Sequence, residues 1–286
     1  MPDPGGPRKI FLREEGSGSQ VVKLVLSASR RTDLVAFYPE VLLKALKRYP
    51  PDRVHTVVLW TKDPRNLLRR GRLGKVLSGY SQLFVHYTIT GMGRTALEPG
   101  VISTREALGF LPELVDLVRD PRRVRVRFDP VVNFYIGGRY YTNLPLYEEV
   151  AEETARCGVP AVTVSWVQFY PKVSRRLARH NVTPAPFDLI SQWRWMKEVS
   201  ERYGLELYAC CVEGLPTSRC IDGKLLSKLH PEGEPAPLGK AKGQRPLCGC
   251  TISLDVGWYT QRCPGGCLYC YANPLERTVC RGSRMS

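Results

Sequence analysis

Between Val22 and Cys210, short runs rich in β-branched and aromatic residues alternate with amphipathic helical segments. The strand-like runs are VKLVLSAS (22–29), VHTVVLW (54–60), QLFVHYTIT (82–90), VRVRF (124–128), AVTVSWVQF (161–169) and LELYAC (205–210). Helical patterns separate them at 36–48, 64–77, 103–119, 146–158 and 187–203. A helix between successive strands requires parallel pairing through crossover connections. Repeated in series, such units predict one α/β architecture of the β/α-barrel kind, closed or partial and TIM-like.

In that architecture the chemistry sits where the strands end at their C-terminal side. The predicted rim contains Ser29, Arg30, Arg31, Thr32 and Asp33 after the first strand, and Thr61, Lys62 and Asp63 after the second. Thr90 follows the third strand, and the last two contributions are Arg127 with Asp129, then Gln168, Tyr170 and Lys172. Asp33 or Thr32 also suits a helix cap. The organisation expected is an arm at 1–20, β/α units over 21–211, and a cysteine-rich segment at 212–286 that completes the barrel. Within that last segment, DGKLLSKLH reads as a short helix and TISLDVG (251–257) as one more strand.

No apolar run reaches the roughly 20 residues a membrane-crossing helix needs. The polar start, MPDPGGPRKIFLREEGSGSQ, lacks the apolar core of a signal peptide. Both point to a cytoplasmic protein with no membrane partner. Thiols are kept reduced there, so ten cysteines argue for metal or redox chemistry rather than disulfides. The 42 Lys and Arg against 27 Asp and Glu leave a net charge of +15, which suits a nucleic acid or phosphate partner, or simply a soluble basic surface.

The densest constellation is Cys263-Pro-Gly-Gly-Cys267-Leu-Tyr-Cys270, a C-x3-C-x2-C loop. Three close thiolates suit a [4Fe-4S] cluster with one open iron, while a distant fourth cysteine would close a zinc site instead. Tyr269 stands where an aromatic shields the cluster edge. A second set, Cys210 (or Cys211), Cys220, Cys248 and Cys250, supplies four thiols for another iron-sulfur cluster or a zinc. Cys157 reads as packing at a helix end and Cys280 as a bystander. His86 reads as a core residue, and Trp193, Trp195 and Met196 as the buried face of their helix.

The cysteine loop, with an aromatic before its last cysteine, resembles the signature of radical S-adenosylmethionine (radical SAM) enzymes. More widely, LSASRRTDLVAFYPE, VVLWTKDP, HYTITGMG, VRFDPVV, LELYACC, CIDG, CGC and CPGGCLYCYAN resemble the bacterial domain of unknown function family DUF1848, over about Val22 to Asn273. The first resemblance implies that Cys263, Cys267 and Cys270 hold a [4Fe-4S] cluster whose open iron binds S-adenosylmethionine, giving a 5′-deoxyadenosyl radical on reduction. It also implies an electron donor such as a ferredoxin or flavodoxin, and a small-molecule or nucleotide substrate. Arg30, Arg31, Asp33, Arg127, Asp129 and Tyr269 are then the expected cofactor-binding residues, with Asp33 or Glu213 in place of a Gly-Gly-Glu segment. Radical SAM domains carry their cysteine loop after the first strand. Here it follows the last, so a circular permutation is implied, with TISLDVG beside VKLVLSAS. The rival expectation is a non-catalytic metal-binding protein with a nucleic-acid-binding basic surface.

Overall fold

The computed structural model describes residues 23–68, 71–257 and 260–276. The expected arm at 1–20 and Cys280 lie outside the described residues. Strand β1 (Leu24–Ala28) leads to helices α1 (Leu34–Phe37) and α2 (Pro39–Leu46), and β2 (Val54–Thr61) to α3 (Arg65–Leu68) and α4 (Arg72–Leu77). Next come β3 (Leu83–Thr88) with α5 (Thr104–Gly109) and α6 (Leu111–Val118), and β4 (Val124–Val131) with a hairpin of β5 (Asn133–Ile136) and β6 (Arg139–Thr142) before α7 (Tyr147–Arg156). Then β7 (Ala161–Trp166) precedes α8 (Pro171–Arg179), β8 (Val182–Pro184) and α9 (Leu189–Arg202). The chain ends through β9 (Glu206–Ala209), α10 (Gly223–Leu229) and β10 (Leu254–Asp255).

Seven strands form one parallel sheet in the order β10-β1-β2-β3-β4-β7-β9. The α/β class is therefore as the alternation predicts, but no closed barrel forms: β10 and β9 are the two edges, unpaired with each other among the described residues. The last strand does lie beside the first, with Leu26 opposite Leu254 and Ser27 opposite Asp255. It is only two residues long, so TISLDVG is mostly irregular.

Prolines explain where the expected helices divide. Pro39 opens α2 and breaks the 36–48 pattern after Tyr38, because a proline has no amide proton to donate and suits a first turn. Pro112 in the first turn of α6 divides the 103–119 segment in the same way. The β5–β6 hairpin turns on Gly137 and Gly138, both at positive φ, where side chains are strained. It pairs with β8 in a separate three-stranded antiparallel sheet.

One face of the parallel sheet is apolar. Leu26, Val57, Leu59, Val85, Tyr87, Val126, Phe128, Val162 and Val164 are buried there among helix residues such as Leu42, Leu111, Val150 and Met196. Trp193 and Met196 are buried as their helix pattern predicts, and Trp195 packs against the same core. The alternate strand positions carry Ser27, Trp60, His86, Arg125, Arg127, Thr163 and Ser165, a polar second face. A parallel sheet is ordinarily covered on both sides. The segment after β9 provides the second cover: Ile221, Leu226, Leu229 and Ala236 pack with Val25, Val58 and Phe84 of the strands. The 212–250 segment thus lies across the sheet rather than extending it with strands.

Asn143 ties the hairpin to this frame. Fully buried, it accepts from Val132 N (2.8 Å) and donates to the carbonyls of Thr90 (2.8 Å) and Pro130 (3.1 Å). Asn143→Ala leaves three buried backbone groups without partners, so it should cost about 3 kcal/mol or more. Urea unfolding should show a lower midpoint at unchanged slope.

Candidate functional site

The terminal cysteine loop is held shut by its own backbone, Cys263 N donating to Asn273 O (2.8 Å) and Leu275 N to Cys263 O (2.8 Å). Its outer contacts come from rim loops: Tyr38 Oη to Arg262 O (2.6 Å), Gly100 N to Gly265 O (3.1 Å), and Leu268 N to Leu97 O (3.0 Å). Gly100 is required for that approach, since a Cβ there would stand 2.2 Å from Pro264 O. From α8, Arg176 places both terminal guanidinium nitrogens on Cys270 O (2.7 and 2.9 Å).

Cys267 is buried, with Cys263 and Cys270 half-buried beside it. Burial raises all three thiols, Cys263 to about 11, so without a metal they are held protonated. Backbone amides already point at the sulfurs: Asp33 and Gly265 at Cys263, and Ala272 at Cys270 Sγ (3.3 Å). Among the described residues, only His230, Glu232 and Glu234 bring three metal-ligating atoms within 4.8 Å of one another. The three loop thiols are therefore more widely spread than the ligands of one zinc ion, whose sulfurs at about 2.3 Å from the metal crowd within about 4 Å of each other. A polynuclear cluster fits that spread.

Beside Cys267 lies a polar network that no local sequence pattern foretells. Glu98 is fully buried; its Oε1 accepts from Lys62 Nζ (2.6 Å), Thr90 Oγ1 (2.8 Å) and Tyr269 Oη, and Lys62 Nζ also donates to Tyr269 Oη (2.9 Å). Burial alone would lower the Lys62 ammonium, but the Glu98 carboxylate outweighs it and raises it. The other carboxylate oxygen, Glu98 Oε2, is buried with no partner. Lys62 belongs to the predicted rim, whereas Glu98 sits in a Gly- and Pro-rich loop, TGMGRTALEPG, with no period to mark it.

The other predicted rim residues divide between two tasks. Asp33 caps α1, accepting from Ala36 N (2.8 Å), and its second oxygen takes Thr61 Oγ1 (3.0 Å) and Lys62 N (2.8 Å); burial pushes its carboxyl up to about 6. Arg31 donates to Gly257 O (2.9 Å) and faces Asp255 at 3.9 Å, joining β1 to β10. Glu213 is exposed in the turn after β9. Arg30 and Arg127 instead lie near the Trp60 ring, 5.6 and 5.1 Å from its centroid. Arg127, buried, donates to Cys220 Sγ (2.9 Å) and pairs with Asp129, which also takes the Ser165 hydroxyl.

Cys220 belongs to the second thiol set, which the fold gathers on the polar face of the sheet. Cys210 is in hydrogen-bonding contact with Cys211 and Cys220, and Cys250 with Cys220 and Cys248. His86 is not a satisfied core residue: its Nε2 meets Cys220 O at 2.6 Å, but its Nδ1 is buried without a partner, and burial lowers the ring to about 3. Cys157 packs at the end of α7, its Sγ 3.4 Å from Glu153 Oε1. The His230 group lies with His55, at the N-terminal end of β2 and so opposite the thiols, and Glu234 is held by Lys23 (2.6 Å).

Among curated proteins none matches. Solved structures with some likeness include N-acetylneuraminate lyase from Fusobacterium nucleatum (9% identity, TM-score 0.30, 69% of this chain and 50% of that one). Others are a morphinone reductase (17%, 0.24, 51% and 43%) and the carboxyl transferase domain of Rhizobium etli pyruvate carboxylase (11%, 0.26, 76% and 44%). The chain spans half or less of each of these proteins. The family model for the domain of unknown function DUF1848 matches residues 25–272, and the chain belongs to that family.

Proposed function

We propose that this protein is an iron-sulfur enzyme of the radical SAM type, its cluster held by Cys263, Cys267 and Cys270. The carrying observation is the placement of those thiols: spread wider than one ion needs, and set beside Lys62 and Glu98 at the C-terminal ends of β2 and β3. The pairing of β10 with β1 supports a permuted, partial barrel in which the loop after the last strand occupies the position usual after the first. Such a cluster, when bound and reduced, would supply the electron that splits S-adenosylmethionine into methionine and a 5′-deoxyadenosyl radical.

The residues of the chain bind and orient. Glu98 Oε2, buried and unpartnered, suits the ammonium of an amino-acid cofactor, the role expected of Asp33 or Glu213. Lys62 and Tyr269 hold that carboxylate in place from its other oxygen. Arg31 and Asp33 act as positioning residues, because their polar atoms already fasten β10, α1 and the end of β2. Arg127 and Asp129 are paired with each other on the polar face, and Arg30 lies near the same Trp60 ring as Arg127. The basic cleft beside the loop, about 220 Å³ and lined by Lys172, Arg175, Arg176 and Arg179, supports docking of an acidic electron donor next to the Cys270 carbonyl.

Cys267→Ala should abolish the terminal cluster and reduce 5′-deoxyadenosine formation to background. Glu98→Gln should keep its iron yet bind S-adenosylmethionine about 10- to 100-fold more weakly, the loss of one charge-assisted hydrogen bond. Unchanged binding by isothermal titration would remove Glu98 from the site. A Lys172→Glu, Arg175→Glu double variant should be reduced about tenfold more slowly by an acidic flavodoxin or ferredoxin, but at the parental rate by dithionite.

A further inference from the structure

We infer that the protein carries a second polynuclear iron-sulfur centre, on the polar face of the sheet, with four thiolates drawn from Cys210, Cys211, Cys220, Cys248 and Cys250. The inference does not rest on the radical SAM reading.

Five cysteines from three separate stretches meet there. Cys210 and Cys211 follow β9, Cys220 lies in the next loop, and Cys248 and Cys250 precede β10. Contacts run from Cys211 through Cys210, Cys220 and Cys250 to Cys248, and Cys248 in turn acts on Cys211, so the five sulfurs form one contiguous group. Adjacent residues of an extended strand point to opposite faces. Cys211 escapes this by adopting φ 55°, a left-handed conformation strained for any residue but glycine, and so joins Cys210 on one side. Strain of that kind persists where a site requires it.

Five thiols are more than one zinc ion takes, and no three of the sulfurs lie within 4.8 Å of one another, which favours the wider shell of a cluster. The surroundings are those of a buried anion. Arg127 Nη1 donates to Cys220 Sγ at 2.9 Å, Arg245 Nη2 to Cys210 Sγ at 3.5 Å, and Ile221 N to Cys250 Sγ at 3.4 Å. Arg125 acts on Cys220, and Arg30 on Cys248 and Cys250. Among the described residues, Asp129 is the only carboxylate in an ion pair with any of these four arginines. Glu206 acts on Arg125 and Asp255 on Arg30 without pairing with them, and a cluster of four thiolates, anionic as a whole, would meet the positive charge that remains.

The two centres are also joined through side chains. Cys267 acts on Lys62, Lys62 on Asp129, and Asp129 pairs with Arg127, the donor to Cys220.

The test is an iron and sulfide count on the full chain, produced with ample iron and purified without oxygen. The parent should hold about eight irons and eight sulfides, as two [4Fe-4S] centres require. A Cys263→Ala, Cys267→Ala, Cys270→Ala variant should retain about four, and a Cys248→Ser, Cys250→Ser variant should lose about four. If the latter does not fold, the former still decides: no iron in it, or one zinc in place of iron, overturns the second centre. Iron lost from the Cys248, Cys250 variant alone, with none attributable to the terminal loop, leaves this centre standing and removes the radical SAM reading instead.

Discussion

The guanidinium of Arg127 is charged, buried and carried by β4, an interior strand of a parallel sheet. A charge in that position has to be compensated by groups that come from elsewhere in the chain. Asp129 and Cys220 compensate it here, and Cys220 arrives only because the segment after β9 folds back over the sheet. The second cover of the sheet, the gathering of five thiols and the position of Asp129 near Lys62 are consequences of one buried cation.

The same face explains why an α/β chain leaves its sheet open. Barrels fill their interior with layers of branched apolar side chains. In this chain the corresponding positions hold Trp60, His86, Arg125, Arg127 and Thr163, which cannot pack against one another dry. The segment after β9, with its apolar residues and cysteines, occupies that space, and among the described residues the edges β9 and β10 are not paired with each other.

How much of this was legible depended on whether the signal was local. Each of the six alternating strands is found close to its sequence position, because burial of the alternate face imposes period two whatever the neighbours do. The hairpin at Gly137-Gly138 was readable from its turn and was not read. The terminal cysteines were legible as a set, since their spacing puts them in one loop. Glu98 was not: nothing within its own loop distinguishes a buried carboxylate from a solvated one, and only the approach of Tyr269, 171 residues later, makes it a site. Cys210 and Cys211 read as alternatives; with Cys211 in a left-handed conformation the two are in hydrogen-bonding contact, which no local pattern foretells.

The account turns on an open iron at the terminal loop. The most direct measurement is the electron paramagnetic resonance spectrum of the anaerobic, dithionite-reduced protein before and after adding S-adenosylmethionine. One reduced-cluster signal should change its g values on addition, and that component should be missing from Cys267→Ala. A spectrum that S-adenosylmethionine leaves unchanged, in protein whose iron content shows the loop filled, would contradict the account.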